Sequence, residues 1–239
     1  MVEINHIKKT FGKLTVLRDI NITIPTGSSI SILGPNGSGK TTLIKSILGM
    51  LIPDSGEIKI DGASVKNNWS YRDKIGYLPQ IARFPENLSV NELIKMICDL
   101  RQSKETGEEL IHLFQLEPFL KKQLRYLSGG TRQKVNMVLS LMFHPDIYIF
   151  DEPTVGLDPV SRVKFKDYVL KQKALGKTII LTTHLLNEVE EMTDDIIFLL
   201  DGDVHYNGRV ENLIASQSET SLERAIAKML IQNEYERNK

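Results

Sequence analysis

The sequence has one cysteine, one tryptophan and no excess of charge of either sign among its 239 residues. A single thiol, Cys98, excludes a disulfide framework and a metal site built from cysteines. Because Lys+Arg and Asp+Glu are both 30, the basic excess expected of nucleic-acid and membrane-surface binders is missing. There is no apolar run of the roughly 20 residues that span a bilayer, and no signal-peptide pattern. We therefore expect a cytoplasmic chain that does not bind nucleic acid.

The remaining composition, 41% hydrophobic and 25% charged, is typical of a globular protein of one or two domains. Hydrophobic periodicity predicts strands at 2–7, 20–24, 29–33, 57–61, 75–79, 147–150, 178–183 and 195–202, with 203–208 as a hairpin partner. It predicts helices at 41–51, 131–143, 161–176 and 185–192. From about residue 86 to residue 122 the pattern is helical, in the runs 89–100, 107–114 and 117–124. Ser89 and Glu92 resemble a capping box at the start of the first run. The pattern indicates an α/β protein whose mixed β-sheet core is interrupted by a helical insertion.

The clearest motif is GPNGSGKT at residues 34–41, placed between an apolar strand and a helix. Its glycines allow backbone N–H groups to turn toward an anion, and the helix that follows adds its positive dipole end. Lys40 supplies a cation for the phosphates, and the Thr41 hydroxyl can ligate Mg²⁺. A simple glycine-rich turn is the weaker alternative.

Two further patterns carry chemistry of the same kind. The strand IYIFDE ends in Asp151, suited to hold Mg²⁺, and Glu152, suited to orient a water as general base. LSGGTRQK places Ser128, Gly129 and Gly130 just before a helix, which is a second arrangement suited to phosphate. On local sequence alone, solvated strand-end acids explain the first pattern equally well, and a simple N-cap serine explains the second better than a phosphate site does.

Taken together and in order, GPNGSGKT, Gln80 in GYLPQ, LSGG, IYIFDEP, GLDP and His184 in TTH resemble an ATP-binding-cassette (ABC) ATPase over residues 2–215. The resemblance implies a P-loop NTPase of ABC type, with an ATPase domain at 1–217, a helical subdomain inserted at about 81–145, and a C-terminal helix or tail at 218–239. In that tail, Leu222, Ile226, Met229 and Leu230 have helical spacing, so either a docked helix or a frayed end is expected.

The resemblance also assigns residues, with ATP and Mg²⁺ as cofactors. The catalytic residues it implies are Glu152, His184 and Gln80, and the Mg²⁺ residues are Thr41, Gln80 and Asp151. The ATP-binding residues it implies are Phe11 (stacked on adenine), Gly34, Pro35, Asn36, Gly37, Ser38, Gly39, Lys40, Thr41, Thr42, Ser128, Gly129, Gly130 and Asp158. Taken singly, Phe11 is better explained as a core residue and Gln80 as a polar loop residue. His184 is then better explained as a hydrogen-bonded structural histidine at the end of a buried strand. Thr131 stands where the family commonly has Gln.

The resemblance implies partners as well. Two copies of the chain would close head to tail on two ATP molecules, with Ser128 and Gly130 of one copy meeting the ATP held by Lys40 of the other. A separate membrane-spanning subunit would be powered from the inner face of the cell membrane, and its docking site would be the apolar loop of Ile81, Ala82, Phe84, Pro85 and Leu88. LSGGTRQK and DEPTVGLDP are most similar to exporter subunits. GYLPQIARFPENLSV resembles the ATPase of the exporter that supports nitrous-oxide-reductase copper-site assembly. A soluble assembly or regulatory ATPase and a non-hydrolysing subunit are the alternatives.

Overall fold

The structure, a computed structural model, describes the backbone of residues 1–237 and the side chains of residues 1–232. The first elements are β1 (Val2–Phe11), β2 (Leu14–Ile24), β3 (Ser29–Leu33), α1 (Lys40–Ile47), β4 (Ser55–Ile60), β5 (Ala63–Ser64) and β6 (Ile75–Leu78). They are followed by α2 (Val90–Leu100), α3 (Glu108–Leu113), α4 (Gly129–Leu141), β7 (Ile147–Asp151) and α5 (Pro159–Ala174). The last are β8 (Thr178–Thr182), α6 (Leu186–Met192), β9 (Asp195–Leu200), β10 (Asp203–Arg209), α7 (Val210–Ser216) and α8 (Leu222–Arg237). Short 3-10 helices lie at Ser70–Lys74, Glu117–Phe119 and Leu124–Tyr126.

The chain divides into two compact units, and the first comprises residues 1–68 together with the chain from Ile180 onward. Its antiparallel sheet has the order β2-β1-β4-β5, with Val2 of β1 opposite both Ile24 and Ile60. A second set of strands in this unit runs in the order β10-β9-β3-β8, with β3 and β9 parallel. Because every residue of β3 is buried, its carboxyl end gives the following loop a rigid support.

The end of the first unit is a packed helix over the part of the tail that the structure describes. Leu222 and Ala225 of α8 are fully buried, and Ile226 and Met229 are each 8% exposed. They pack with Val189 of α6 in one hydrophobic cluster. Residues 238–239 of the predicted tail lie outside the described residues.

The second unit spans residues 69–179 and contains β6, β7 and the helices α2 to α5. β6 and β7 are parallel, with Leu78 opposite Phe150. Phe150 packs edge-on against Phe165 of α5 at a ring-centroid distance of 5.2 Å, and this contact ties strand to helix. Helices occupy most of the segment between β6 and β7, while the boundaries 81–145 for an inserted subdomain stay a prediction.

Several helix predictions were wrong at their ends because capping decides where a helix begins. The helix predicted at 131–143 starts at Gly129, since Ser128 caps it, and ends at Leu141. The helix predicted at 161–176 starts at Pro159, which is favourable at the first helical position after the cap Asp158, and ends at Ala174. The helix predicted at 41–51 is Lys40–Ile47, because Gly49 leaves the helical region at φ +62°.

Two larger predictions also needed correction. Residues 117–124 form 3-10 turns rather than a helix, because the Lys122 and Leu120 carbonyls accept hydrogen bonds from Val90 and Asn91 at the start of α2. The first two strands extend toward each other, to Phe11 and from Leu14, as one hairpin. That hairpin belongs to an antiparallel sheet, while β9 pairs in parallel with β3 and antiparallel with β10, which confirms the predicted mixed sheet.

Candidate nucleotide site

The loop between β3 and α1 takes its shape from two glycines. Gly34 has φ +147° and Gly39 has φ +105°, a region that side chains disfavour. A Cβ on Gly34 would overlap the Leu199 carbonyl oxygen, and one on Gly39 would lie 2.7 Å from Leu17 Cδ2. Only glycine fits these two positions, so the sequence pattern here follows from space as well as from backbone conformation.

The polar groups of this loop match what a polyphosphate requires. The Lys40 ammonium donates to the carbonyl oxygens of Gly34 (2.7 Å) and Pro35 (3.0 Å), so its cation lies over the loop. Ser38 is 2% exposed, and its Oγ has no hydrogen-bond partner among the residues that the structure describes. The first turn of α1 contains no acidic residue, and Thr41 at its start is exposed. A buried hydroxyl, a cation and a helix N-terminus at one loop fit the phosphates of a nucleotide.

Phe11 and His184 lie in the same unit as this loop, and both are outside the core. Phe11 at the end of β1 is 49% exposed, with Lys9 Nζ 5.4 Å from its ring centroid. His184 is exposed and lies two residues after the end of β8. Exposure contradicts the alternative that Phe11 is a core residue.

The backbone around His184 is held by a residue that the sequence did not single out. Glu188 of α6 is fully buried and accepts a hydrogen bond from Thr183 Oγ1 at 3.1 Å. The same Thr183 hydroxyl accepts from the Leu185 N–H, also at 3.1 Å. The residues on both sides of His184 are therefore fixed to each other and to α6.

In the second unit, the two adjacent acids have different surroundings. Asp151 is the last residue of β7 and is 5% exposed, whereas Glu152 is half-buried and has φ +50°. This left-handed conformation turns the Glu152 side chain away from the direction of the strand. The negative charge of Asp151, together with burial, raises the pKa of Tyr77 to about 12, with burial the larger cause. The prediction that the two acids point differently agrees with this geometry.

The serine of LSGG is used locally. Ser128 is exposed, and its Oγ accepts from the Thr131 N–H at 3.2 Å as the N-cap of α4. The hydroxyls of Ser128 and Thr131 are also 2.9 Å apart and share a hydrogen bond. Gly129 has open space around it, while a Cβ on Gly130 would lie 2.9 Å from the Gly156 carbonyl oxygen.

Gln80 is exposed just after β6, and Asp158 is exposed at the start of α5. The Asp158 carboxylate accepts from Ser161 N–H (2.9 Å) and Ser161 Oγ (2.7 Å) and pairs with Lys134 Nζ at 2.9 Å. Lys134 first, and then the Ser161 N–H, hold the pKa of Asp158 well below its ordinary value. The Lys134 pair thus joins α4 to the loop before α5.

A groove in the second unit lies beside Gln80. It has a volume of about 410 Å³ and is lined by Ile81, Ala82, Arg83, Phe84, Glu86, Leu124 and Arg132. Ile81 is 73% exposed, whereas Phe84 is half-buried. The Arg132 guanidinium donates to the Leu124 carbonyl oxygen at 3.2 Å.

The predicted site residues are therefore distributed over the two units. The first unit contains the loop at 34–42, and Phe11 and His184 lie elsewhere in the same unit. The second contains Gln80, Ser128 to Gly130, the acid pair and Asp158. In the part of the chain that the structure describes, there is no helix long and apolar enough to cross a membrane.

Comparison with known proteins gives consistent relatives. The family model described as "ABC transporter" matches residues 17–155. The lantibiotic transport ATP-binding protein SrtF of Streptococcus pyogenes is 34% identical over 220 residues, which is 89% of this chain and 94% of that protein. The linearmycin resistance ATP-binding protein LnrL of Bacillus subtilis is 34% identical over 211 residues, covering 85% of this chain and 68% of that one.

Solved structures agree with these relatives. An ATP-binding subunit of an ABC transporter superposes with a TM-score of 0.89 at 28% identity, covering 96% of this chain and 99% of that one. A dimeric ATP-binding cassette in a post-hydrolysis state, bound to ADP and Pi, superposes with a TM-score of 0.79 at 28% identity, covering 87% of this chain and 98% of that one.

Proposed function

The chain belongs to the ABC transporter family of ATP-binding proteins, and from that premise we propose that it hydrolyses ATP to power a separate membrane-spanning subunit. The observation that carries the proposal is the loop at residues 34–41. Two of its glycines leave no room for a Cβ, its Ser38 hydroxyl is buried without a hydrogen-bond partner among the described residues, and the Lys40 ammonium bonds to its backbone. Phosphate binding uses the N–H groups of that loop, the Ser38 hydroxyl and the Lys40 ammonium. Thr42 follows on α1, and Phe11 offers an exposed ring for adenine.

We assign Mg²⁺ to Thr41, Gln80 and Asp151, whose hydroxyl, amide and carboxylate oxygens are the donors that this hard cation prefers. When bound, Mg²⁺ neutralises charge on the phosphates. Glu152 accepts a proton from the attacking water, which adds to the γ-phosphorus as the bond to the ADP oxygen breaks. His184 contacts the γ-phosphate in this assignment.

Two copies of the chain act together in the proposed cycle. Ser128 and the N–H groups at Gly129 and Gly130 of one copy bind the ATP held by the other, and Asp158 lies in the loop that faces the partner. Dimeric cassettes among the structural relatives support this assignment.

The single experiment that tests the hydrolytic role is Glu152→Gln in the purified chain. An amide keeps the shape of the side chain but cannot take the proton, so we expect ATP binding to persist while steady-state turnover falls at least 100-fold. Glu223→Gln, an exposed acid on α8, is the matched control. Turnover near the wild-type rate in Glu152→Gln would remove the general base from the mechanism.

For the membrane partner, we propose the groove of Ile81, Phe84 and Arg132 as the docking surface, because it exposes most of the apolar Ile81 side chain to solvent. Relatives named for lantibiotic transport and linearmycin resistance support an exporter. Within that class we propose an exporter that supports copper-site assembly, and the support for this choice is the sequence of residues 76–90 alone. The subunit would lie at the inner face of the cell membrane.

Docking is tested by Ile81→Asp, with co-purification of the polytopic protein encoded beside this chain as the measurement. A carboxylate buried at an interface is costly, so we expect loss of the complex with ATP hydrolysis of the isolated chain retained. Ile52→Asp is the control, since Ile52 is equally exposed at 75% in the first unit. Phe84→Asp is the more severe variant, because Phe84 is half-buried. Aggregation of that variant protein would identify Phe84 as a core residue. Normal co-purification of both variants would mean that the docking surface lies elsewhere on the chain.

A further inference from the structure

Helix α4 carries polar side chains in an unusual place, on its buried face. Gln133, Asn136 and Ser140 are 9%, 3% and 8% exposed, and their spacing of three and four residues puts them on one side of the helix. Buried amides are costly unless they are hydrogen-bonded, so their partners indicate why they are there.

Ser140 Oγ donates to the carbonyl oxygens of Tyr77 in β6 and Asn136 in its own helix, whereas the two amides bond to the loops that carry two of the proposed catalytic residues. Gln133 Nε2 donates to the Pro153 carbonyl oxygen at 3.0 Å, and Asn136 Nδ2 donates to the Pro79 carbonyl oxygen at 3.2 Å. The two amides also contact each other, with Asn136 Nδ2 3.4 Å from Gln133 Oε1. Since a proline carbonyl can only accept, each amide must present its nitrogen to the loop.

Both anchored residues are neighbours of proposed site residues. Pro153 follows Glu152, and Pro79 precedes Gln80. Glu152 has φ +50°, which is unfavourable for a residue with a side chain, and the proline after it narrows its choices further. The Glu152 carbonyl oxygen accepts a hydrogen bond from the Val155 N–H at 3.4 Å. The residue after it, Pro153, is held by the Gln133 amide. A strained conformation persists only where surrounding contacts determine it.

We propose that Gln133 and Asn136 are positioning residues that hold Glu152 and Gln80 in register through α4. The inference rests on the roles proposed above for Glu152 and Gln80. Because Ser128 caps the first turn of α4, we expect a displacement of this helix start to reach both loops, and we assign Gln133 and Asn136 as the side chains that transmit it. We therefore expect variants of the two amides to lower turnover more than nucleotide affinity.

The test compares Gln133→Met and Asn136→Ala with Gln172→Met. Gln172 is 6% exposed in the same unit, and its Oε1 accepts from Tyr148 Oη at 3.2 Å, so the control removes a buried amide away from both loops. We expect each test variant to lower kcat about 10- to 100-fold, the scale set by a misplaced catalytic group, with KM for ATP within about twofold of wild type. The control should lower the melting temperature comparably and leave kcat unchanged.

A double variant, Gln133→Met with Asn136→Ala, adds a readout that simple destabilisation does not move. Because the two amides form one network, its loss of kcat should be smaller than the product of the single losses. Unchanged kcat, or a parallel loss in Gln172→Met, overturns the inference. If Gln133→Met does not fold, Asn136→Ala alone decides it. Glu152→Gln measured in parallel separates the cases: normal turnover there removes the proposed function, whereas lost turnover there with normal Gln133→Met removes only the positioning role.

Discussion

Two loops of this chain have the sequence of an anion site, and each presents a serine hydroxyl. In the loop at 34–41, Ser38 Oγ is buried and has no partner among the described residues, although it is packed against Gly34. At the start of α4, Ser128 Oγ is exposed and already accepts from the Thr131 N–H and bonds to the Thr131 hydroxyl. In the proposed function the first hydroxyl is available to a phosphate, whereas a ligand of the second must compete with its structural hydrogen bonds.

The difference shows which groups hold each loop in its conformation. Glycines that exclude a Cβ shape the first loop, and the Lys40 ammonium adds hydrogen bonds to the Gly34 and Pro35 carbonyl oxygens. The Ser38 hydroxyl makes no hydrogen bond among the described residues that would hold this loop. The second loop is a helix N-cap, whose polar group contributes to the stability of the fold. Loss of a polar group should thus cost binding at the first loop and folding at the second.

The largest expected effect is that of Lys40→Ala in the first loop. A charge-assisted hydrogen bond to phosphate contributes about 1.5–3 kcal/mol, so ATP affinity should fall roughly 10- to 150-fold, and hydrolysis with it. Equilibrium titration with a fluorescent ATP analogue measures this. Lys45→Ala, an exposed lysine in the last turn of the same helix, is the control. Unchanged affinity in Lys40→Ala would mean that the loop is only a glycine-rich turn.

The serines themselves should respond with opposite signs. Ser38→Ala removes a buried hydroxyl without a partner, so the free energy of unfolding should stay level or rise by up to about 1 kcal/mol while ATP affinity falls. Ser128→Ala removes an N-cap, so the free energy of unfolding should fall by about 1 kcal/mol with little change in ATP affinity of the isolated chain. Urea unfolding and nucleotide titration of both variants measure the two quantities. The same sign of stability change in both would end the distinction between the loops.

The contrast also explains what could be predicted from the sequence. The loop at 34–41 is defined by backbone conformation and local space, so its residues carry the whole signal and its position was predicted correctly. Gln133 and Asn136 bond to backbone far away in sequence, and Glu188 bonds to the nearby Thr183 side chain. A polar residue in a helix gives no sign of which loop it contacts. Their signal was only a polar side chain at a position where helical spacing predicts an apolar one. α7 was missed for a related reason, since Val210 and Leu213 are its only buried residues and give too short a pattern.

A smaller effect is expected at Thr131, where the family commonly has Gln. Thr131→Val keeps the backbone N–H of the cap and removes the hydroxyl that bonds to Ser128. Since one neutral hydrogen bond contributes about 0.5–1.5 kcal/mol, freeing Ser128 Oγ should strengthen ATP-dependent dimerisation about 2- to 10-fold. Analytical ultracentrifugation in the Glu152→Gln background measures it, with Thr131→Ser as the variant that retains the hydroxyl. Equal dimerisation in the Val and Ser variants would show that Ser128 does not compete.

The smallest effect concerns Asp158, the other exposed capping residue of the second unit. Lys134 and the Ser161 N–H lower the pKa of Asp158 in the folded state below its value of 3.8 in a model compound. A carboxyl with a lowered folded pKa stabilises the fold fully above the unfolded pKa, and the contribution is lost as pH falls through the folded pKa. The side chain is 48% exposed, so solvent screening limits the contribution to less than about 1 kcal/mol.

Asp158→Asn isolates this charge, because Asn caps a helix as well as Asp does. The variant should unfold at lower urea concentration than the wild type at pH 7, and the difference should shrink progressively below pH 3.8 because protonation then removes the same charge from the wild type. Adding 1 M salt at pH 7 should reduce the difference as well, since a partly exposed ion pair is screened. A difference that stayed constant from pH 7 to pH 3 would assign the effect of Asp158 to its hydrogen bonds with Ser161 and not to the pair with Lys134.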